Sequence, residues 1–159
     1  MNTVILCVGK LKESWWRDAA EEYLKRLSRY GAIGVEECPD LPEPRGATDV
    51  QIARLLEAEG EAMLARLRPR DRIVALTIDG RRYDSPAFAR RIAEWDGEGM
   101  ARLVFLIGSS RGLSPAVLAR ASEKISFSPM TFPHQMARVM LLEQLYRGRK
   151  ILSGETYHK

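Results

Sequence analysis

The residues best suited to acid–base chemistry lie close to the C-terminus of this chain of 159 residues. Both of its histidines, His134 and His158, stand there, at the two ends of one segment. An unperturbed imidazole titrates near pH ~6.5, so each histidine is a candidate proton acceptor in the cell. Arg138 follows His134 by four residues, which puts the two side chains on one face of a helix. On its own, His134 is equally consistent with a residue that caps the start of that helix.

The same segment carries most of the positive charge of the protein. Residues 131–159 contain five Lys or Arg against two acids, Glu143 and Glu155, which accounts for +3 of the formal net charge of +4. That excess suits a phosphate-bearing partner, and it is also typical of a solvated basic helix end. For Arg147 the alternative is a surface pair with Glu143, worth about 0.3–0.5 kcal/mol. The five cations are Arg138, Arg147, Arg149, Lys150 and Lys159.

A stiff loop and a strongly apolar helix make up the first part of this segment. Two prolines exclude a continuous strand or helix from residues 126–132, and the backbone amides and carbonyls of this loop could grip the edge of a flat heterocycle. We predict that a helix starts near Thr131 or Pro133 and that Gly154 breaks it. The apolar run 139–142 leaves little of the helix fit for water, so we expect it to pack on the protein body and on a second copy of the chain.

Composition is that of an ordinary globular protein. Apolar residues make up 45% and charged residues 29% of the chain. No apolar run approaches the ~18 residues that span a membrane. The N-terminus has no basic stretch before its apolar run, so we interpret it as a strand and expect a cytoplasmic protein. Cys7 and Cys38 follow no metal-binding or redox spacing, and we predict no metal site.

Strand and helix patterns alternate along the whole chain. The predicted strands cover residues 3–8, 31–38, 72–78, 103–107 and 124–127. The predicted helices are capped by Ser14, Thr48, Ser85 and Ser114, before the helix near the C-terminus. The pair Asp79-Gly80 is expected to close the third strand. This order predicts one α/β domain over residues 1–159, with a mostly parallel sheet and helices on both faces.

Three loops of the chain are predicted to meet at the ligand-binding edge of this sheet. Parallel sheets bind ligands at the carboxyl ends of their strands, and the loop after Leu76, the loop 108–112 and the loop 126–132 all lie there. A P-loop is disfavoured because Gly9-Lys10 lacks the earlier glycine and the following Ser or Thr. A dinucleotide site is disfavoured because a single glycine follows the first strand. The two glycines of loop 108–112 are equally consistent with a tight turn.

Five motifs, spread over nearly the whole chain, resemble one enzyme family. They are V-G-K-L-K-E near the start, L-I-G-x-x-x-G-L-S at 106–114, S-P-M-T-F-P-H-Q-M-x-R-V at 128–139, L-E-Q-L-Y-R-x-x-K-I at 142–151 and G-E-x-Y-H-K at 154–159. The last three are long and specific. The sequence resembles the ribosomal large-subunit methyltransferase H family, the 23S rRNA pseudouridine-N3 methyltransferases of the SPOUT superfamily.

The resemblance implies a C-terminal trefoil knot, an obligate homodimer and S-adenosylmethionine as the methyl donor. It puts the cofactor contacts on the three loops already singled out. By position, these contacts are Leu76, Gly108, Phe127, Ser128, Pro129, Met130, Thr131 and Phe132. The chain departs from the family at Ser109, where a second glycine is usual, and at Gly148-Arg149, which replaces a more apolar pair.

The resemblance also suggests roles for the C-terminal residues. N3 of pseudouridine is an imide nitrogen that must lose its proton, and a fixed cation near the ring oxygens favours the resulting anion. We assign Arg138 as that cation and Tyr157 as a residue that stacks on or orients the base. His134 and His158 are the candidate proton acceptors. Four basic residues are assigned to RNA phosphates, namely Arg147, Arg149, Lys150 and Lys159.

Two other functions are consistent with these residues. One is a non-catalytic RNA- or ribosome-binding module, in which the fold only supports a basic face. The other is a SPOUT methyltransferase acting on tRNA, which would be expected to carry an added RNA-binding extension. The small size of the chain fits a preformed target such as the assembled ribosome.

Overall fold

A computed structural model describes residues 1–159 and shows a five-stranded sheet covered by helices. The strands are β1 (Asn2–Val8), β2 (Ile33–Cys38), β3 (Asp71–Arg82), β4 (Arg102–Ile107) and β5 (Glu123–Ser126). The helices are α1 (Ser14–Leu27), α2 (Asp49–Leu64), α3 (Ser85–Gly97), α4 (Pro115–Arg120) and α5 (His134–Leu152), with a short 3-10 helix at Ser28–Tyr30. All neighbouring strands are parallel, in the order β2-β1-β4-β3-β5. The predicted α/β class is confirmed.

The two faces of the sheet bury separate apolar clusters. Along β1, Ile5 and Cys7 belong to one cluster and Leu6 and Val8 to the other, as the two-residue period of a strand dictates. α1, α3 and α5 cover the first face, where Trp95 is fully buried, and α2 and α4 cover the second. The prediction of helices on both faces is thereby confirmed. None of the helices is both long enough and apolar enough to cross a membrane.

Side-chain caps start several helices. Thr48 and Gln51 form the predicted capping box, in which each side chain accepts a hydrogen bond from the backbone amide of the other. Ser114 caps α4 as predicted, with Oγ accepting from a backbone amide of the first turn. The caps predicted at Ser14 and Ser85 are wrong by one residue, because the acidic residue before each serine occupies the capping position.

The third strand is longer than predicted. Asp79-Gly80 does not end β3, which continues to Arg82. A change of register between Leu76 and Arg81 marks a bulge in the pairing of β3 with β5. Glycine is needed within the bulge because a Cβ at Gly80 would lie 2.5 Å from the carbonyl carbon of Ile125. The bulge leaves residues 77–80 outside the regular ladder, at the carboxyl edge of the sheet.

The last helix has the predicted ends. α5 begins at His134 directly after Pro133, which is one of the two predicted starting points. Gly154 follows its end with φ +65°, and its amide donates to the Ile151 carbonyl at 3.1 Å. A left-handed glycine that closes the last turn in this way is a common helix ending.

α5 presents two different faces. Leu141, Leu142 and Leu145 are buried against the sheet, α1 and α3. Met136 and Met140 stay half-buried. One apolar face of the helix is therefore incompletely covered by the chain itself.

Gly148 lets α5 lie close to α3. A Cβ at this position would lie 2.6 Å from Cδ1 of Ile92 and 3.6 Å from Cα of Ala89. The next residue, Arg149, forms an ion pair with Asp96 near the end of α3. The departure from the family at Gly148-Arg149 is thus a pair of adjacent contacts in one helix–helix interface.

Candidate functional site

A cavity of about 810 Å³ opens at the carboxyl edge of the sheet. Its walls come from the three strand-end loops singled out in the sequence, together with the start of α5. Of the eight predicted cofactor contacts, Pro129 does not line this cavity. The seven that do are Leu76, Gly108, Phe127, Ser128, Met130, Thr131 and Phe132. The topology of the sheet therefore brings these distant segments together in one place.

The glycine loop of the cavity is a tight turn. The Gly112 amide donates to the Ser109 carbonyl at 2.9 Å, and Gly112 has φ +85°. A Cβ at Gly108 would lie 3.0 Å from Cα of Gly112 and closer still to its carbonyl group. Only glycine fits at Gly108, so this wall of the cavity is bare backbone that a ligand can approach closely.

The loop before α5 is held in shape by its own hydroxyls. Ser126 Oγ donates to the Ile78 carbonyl at 2.8 Å and accepts from the Ser128 amide at 3.2 Å. Ser128 Oγ accepts from the Met130 amide at 2.9 Å. These bonds tie the loop to the bulge of β3. Met130 is 71% exposed at the rim, where an apolar side chain can cover the face of a flat ligand.

One buried hydroxyl in the cavity wall lacks a partner. Thr77 lies in the bulge of β3 and lines the cavity, and its Oγ1 is buried without a hydrogen bond. Buried polar groups are normally satisfied, so an orphan in a cavity wall indicates a position for a ligand atom. Thr77 was not predicted from the sequence, because nothing in a strand pattern marks an unsatisfied hydroxyl.

His134 is the one candidate catalytic residue that lines the cavity. Burial, and next the positive charge of Arg138, lower the pKa of His134, while Asp40 and Glu13 oppose this shift. Its Nδ1 is buried without a hydrogen-bond partner, which makes Nε2 the other ring nitrogen to consider for contact with a ligand. A cavity-lining imidazole with a lowered pKa is neutral at physiological pH and able to accept a proton.

This shift gives a testable pH dependence. Because the pKa of His134 is lower in the folded protein than in the unfolded chain, folding opposes its protonation. The contribution to the free energy of unfolding is complete above pH ~6.5 and is lost as the pH falls through the folded pKa. We expect the wild-type protein to lose stability relative to His134→Gln between about pH 7 and pH 5. Urea unfolding at several pH values measures this; parallel stability curves would contradict it.

Arg138 lies behind the cavity, not in it. Its side chain is 2% exposed, with Nη1 2.7 Å from Glu37 Oε1 and Nη2 donating to the Gly9 carbonyl at 2.8 Å. These contacts join α5 to the carboxyl ends of β1 and β2. His134 is packed beside the same glycine, because a Cβ at Gly9 would lie 3.2 Å from His134 Cε1. Arg138 thus fixes the helix turn that carries His134.

The C-terminal tail folds back on α5 in the single chain. Tyr157 packs edge-on against Tyr146, with ring centroids 4.9 Å apart, and its Oη donates to Glu143 at 3.2 Å. Burial raises the pKa of Tyr157 to about 12. Arg147 lies over the Tyr157 ring, with Nη1 3.3 Å from His158 Nδ1. Tyr157 and His158 therefore do not line the cavity of their own chain.

Most of the cations assigned to RNA are paired within the chain. The pairs are Arg147 with Glu143, Arg149 with Asp96, and Lys150 with Glu155. Lys159 is exposed at the C-terminus. The pair of Arg147 with Glu143, four residues apart on the helix, is formed as the sequence allows. An RNA phosphate would have to compete with these carboxylates for the first three cations.

The fold described above has a counterpart among solved structures. The same fold occurs in a solved structure described as "a probable methylase family protein from Haemophilus influenzae Rd KW20". That structure matches with a TM-score of 0.54 and 14% sequence identity, over 99% of this chain and 70% of the other. The likeness at this identity is one of fold alone.

The sequence comparisons identify the family. The profile of the family "Predicted SPOUT methyltransferase" matches residues 1–158. The "Ribosomal RNA large subunit methyltransferase H" of Bifidobacterium animalis subsp. lactis (strain AD011) is 50% identical over 159 residues, covering 100% of both chains. The chain therefore belongs to the SPOUT methyltransferases, and within them to the large-subunit methyltransferase H family, which confirms the resemblance seen in its motifs.

Proposed function

We propose that this protein methylates N3 of a pseudouridine in the 23S rRNA of the assembled ribosome, using S-adenosylmethionine, in the cytoplasm. The main support is the cavity at the carboxyl edge, whose walls are the three loops that the family resemblance assigns to the cofactor. The name of the Bifidobacterium relative supports ribosomal RNA as the substrate class. The trefoil knot and the homodimer that the resemblance implies belong to this proposal.

The residues of the cavity fit S-adenosylmethionine. Gly108 offers bare backbone, Thr77 offers an unsatisfied hydroxyl, and the loop 127–132 offers amides, carbonyls and apolar side chains. A cofactor with an adenine ring, hydroxyls and a charged amino acid end needs this mixture of contacts. When bound, S-adenosylmethionine supplies a methyl group on a positively charged sulfonium. The chain has to hold the acceptor nitrogen in line with that methyl group and provide a group that accepts the proton of this nitrogen.

His134 is the proposed proton acceptor within the cavity. The imide proton of N3 would pass to its Nε2, the ring nitrogen other than the buried Nδ1. The lowered pKa keeps the imidazole neutral and ready to accept. His158 and Tyr157 are proposed to act from the tail of a second subunit, since neither lines the cavity of its own chain.

Two roles are proposed for Arg138, which differ in what the guanidinium contacts. As assigned from the resemblance, its positive charge would stabilise the anionic base. Its burial between Glu37 and the Gly9 carbonyl favours a second role, in which it orients His134 and lowers the pKa of that residue. Arg147, Arg149, Lys150 and Lys159 are proposed to bind RNA phosphates, which contribute affinity without sequence choice.

The decisive experiment is methyl transfer from tritium-labelled S-adenosylmethionine to purified ribosomes. We expect the label in 23S rRNA of ribosomes that contain pseudouridine, and none in ribosomes from cells lacking the enzyme that forms pseudouridine. Calorimetry with S-adenosylmethionine alone checks the cofactor independently. Tight binding to ribosomes without transfer would favour the non-catalytic binding module, and label in tRNA would favour the tRNA methyltransferase.

The homodimer is tested through the half-buried face of α5. Met140 lies on this face, so Met140→Glu would place a charge in the proposed contact between subunits and should give a monomer. Light scattering is expected to give twice the chain mass for the wild type and the single mass for the variant. Val50→Glu, on an exposed position of α2, is the matched control and should stay dimeric. A monomeric wild type would contradict the proposal.

A further inference from the structure

Glu59 is a buried carboxylate that the roles described so far do not use. It lies in α2, on the face of the sheet opposite α5, and is 3% exposed. It forms no ion pair with any Lys or Arg of the chain. A buried carboxylate without a cation has to be stabilised by hydrogen bonds. The partners of these bonds therefore indicate its structural role.

Each oxygen of Glu59 accepts one bond from a different loop. Oε1 accepts from Ser109 Oγ at 3.0 Å, and Oε2 accepts from the Leu41 amide at 3.2 Å. Ser109 belongs to the glycine turn of the cavity, and Leu41 belongs to the proline-rich loop that follows β2. The two loops are thus joined through one carboxylate. A glycine at position 109 has no hydroxyl and could not make this bond.

The place of Glu59 is fixed by tight packing beside it. A Cβ at the next residue, Gly60, would lie 2.5 Å from Ser114 Oγ, so α2 lies directly against the residue that caps α4.

A second link between the glycine turn and the loop after β2 is the ion pair of Arg111 with Glu43, with Nε 2.9 Å from Oε2. Its side chains are 47% and 35% exposed, and such surface pairs contribute little. The buried link through Glu59 is the stronger one.

The charge state of Glu59 depends on these bonds. Burial raises its pKa, and the carboxyl of Asp40 raises it further, whereas the bonds from Leu41 and Ser109 lower it. Removing either donor leaves a buried oxygen atom without a partner, which is costly. The carboxylate and its two donors are therefore expected to behave as one unit.

We propose that Glu59 is a positioning residue for the methyl-donor site, holding the turn 108–112 through Ser109 and coupling that turn to the loop after β2 through Leu41. The identity of the ligand rests on the proposed function, while the coupling of the two loops does not. The turn contributes the backbone of Gly108 to the cavity wall. A displacement of the turn would therefore move an atom group that contacts the proposed ligand and would weaken binding.

Calorimetry with S-adenosylmethionine tests the effect on the site. Glu59→Ala and Ser109→Ala are each expected to raise the dissociation constant about tenfold. The double variant should raise it no further than Glu59→Ala alone. Glu59→Gln should stay within about twofold of the wild type, because its amide oxygen can accept from Leu41 and its NH₂ can donate to Ser109 Oγ. Fully additive effects, or equal losses in Glu59→Ala and Glu59→Gln, would overturn the proposal.

A matched control separates positioning from general loss of stability. Asp71 is also buried, but it pairs with Arg102 at the amino ends of the strands, away from the cavity. Asp71→Asn should lower the melting temperature and leave the affinity for S-adenosylmethionine unchanged. If Asp71→Asn weakens binding as much as Glu59→Ala does, Glu59 has no special role.

Hydrogen exchange on the protein without ligand keeps the test independent of the proposed function. The Gly112 amide is bonded to the Ser109 carbonyl and does not touch Glu59. We expect Glu59→Ala to increase its exchange rate at least tenfold, and Asp71→Asn to leave it unchanged. Unchanged exchange in Glu59→Ala would overturn the proposal. If the wild type fails to bind S-adenosylmethionine, the proposed function is wrong, and the exchange result still decides the role of Glu59.

Discussion

Replacing Gly108 with alanine should weaken binding of S-adenosylmethionine by at least about 100-fold, or about 2.7 kcal/mol. A Cβ there would lie 3.0 Å from Cα of Gly112 and closer to its carbonyl group, so the clash is with backbone, which cannot rotate away. Relief requires the turn to open, and Gly112 is held in it by its bond to the Ser109 carbonyl. Opening the turn would displace the Gly108 backbone that lines the cavity.

Calorimetry measures this loss, and circular dichroism checks that the variant is folded. Gly97→Ala is the matched control, because no atom lies within 4 Å of the Cβ that it adds at the end of α3. The control should bind S-adenosylmethionine like the wild type. If Gly108→Ala also binds like the wild type, the cavity is not the cofactor site.

Replacing Arg138 with methionine should lower the free energy of unfolding by about 3 kcal/mol. Methionine keeps most of the side-chain volume, so the loss reports the charge and the hydrogen bonds. It would leave the Gly9 carbonyl and Glu37 without their buried partner. Glu37 is about one-third exposed, which keeps the loss near the lower end of the range for broken buried pairs. Urea denaturation of the purified variant gives the number.

The same variant separates the two roles of Arg138. As the positive charge of Arg138 helps to lower the pKa of His134, its removal should raise that pKa, which NMR titration of the imidazole can follow. Arg26→Met removes an exposed ion pair with Glu22 and should cost less than about 1 kcal/mol. If Arg138→Met is as stable as this control and has an unchanged His134 pKa, yet loses methyl transfer, the role on the anionic base is correct and the positioning role is wrong.

Local patterns predicted the elements whose environment is uniform. β1 and β4 are continuous apolar runs because both faces of each strand are covered, and the Thr48 capping box needs only residues within one helical turn. The predicted end of β3 is wrong because Asp79-Gly80 has the composition of a turn, although the strand continues to Arg82. The glycine is needed for close approach to Ile125, a residue of another strand far along the chain. Contacts of this kind have no local signature.

The candidate site divides in the same way. Its three loops follow from the rule that strand ends share an edge, and they do line one cavity. The partners of most charged residues of α5 do not follow from any pattern. Arg147 pairs within its own helix turn and could be predicted, whereas Arg138 and Arg149 pair with acids of other elements. Those pairs depend on how α5 crosses the sheet and α3.

The position of β1 inside the sheet determines when the chain can fold during its synthesis. β1 pairs with β4 from Asn2 opposite Arg102, so its second neighbour is synthesised about a hundred residues later. A nascent chain that stops short of β4 would expose one unpaired edge of β1, with apolar side chains above and below. Contacts so distant in sequence slow folding and favour aggregation while they are missing. Truncations before β4 should therefore be insoluble, and the intact chain should gain its structure only late in its own translation.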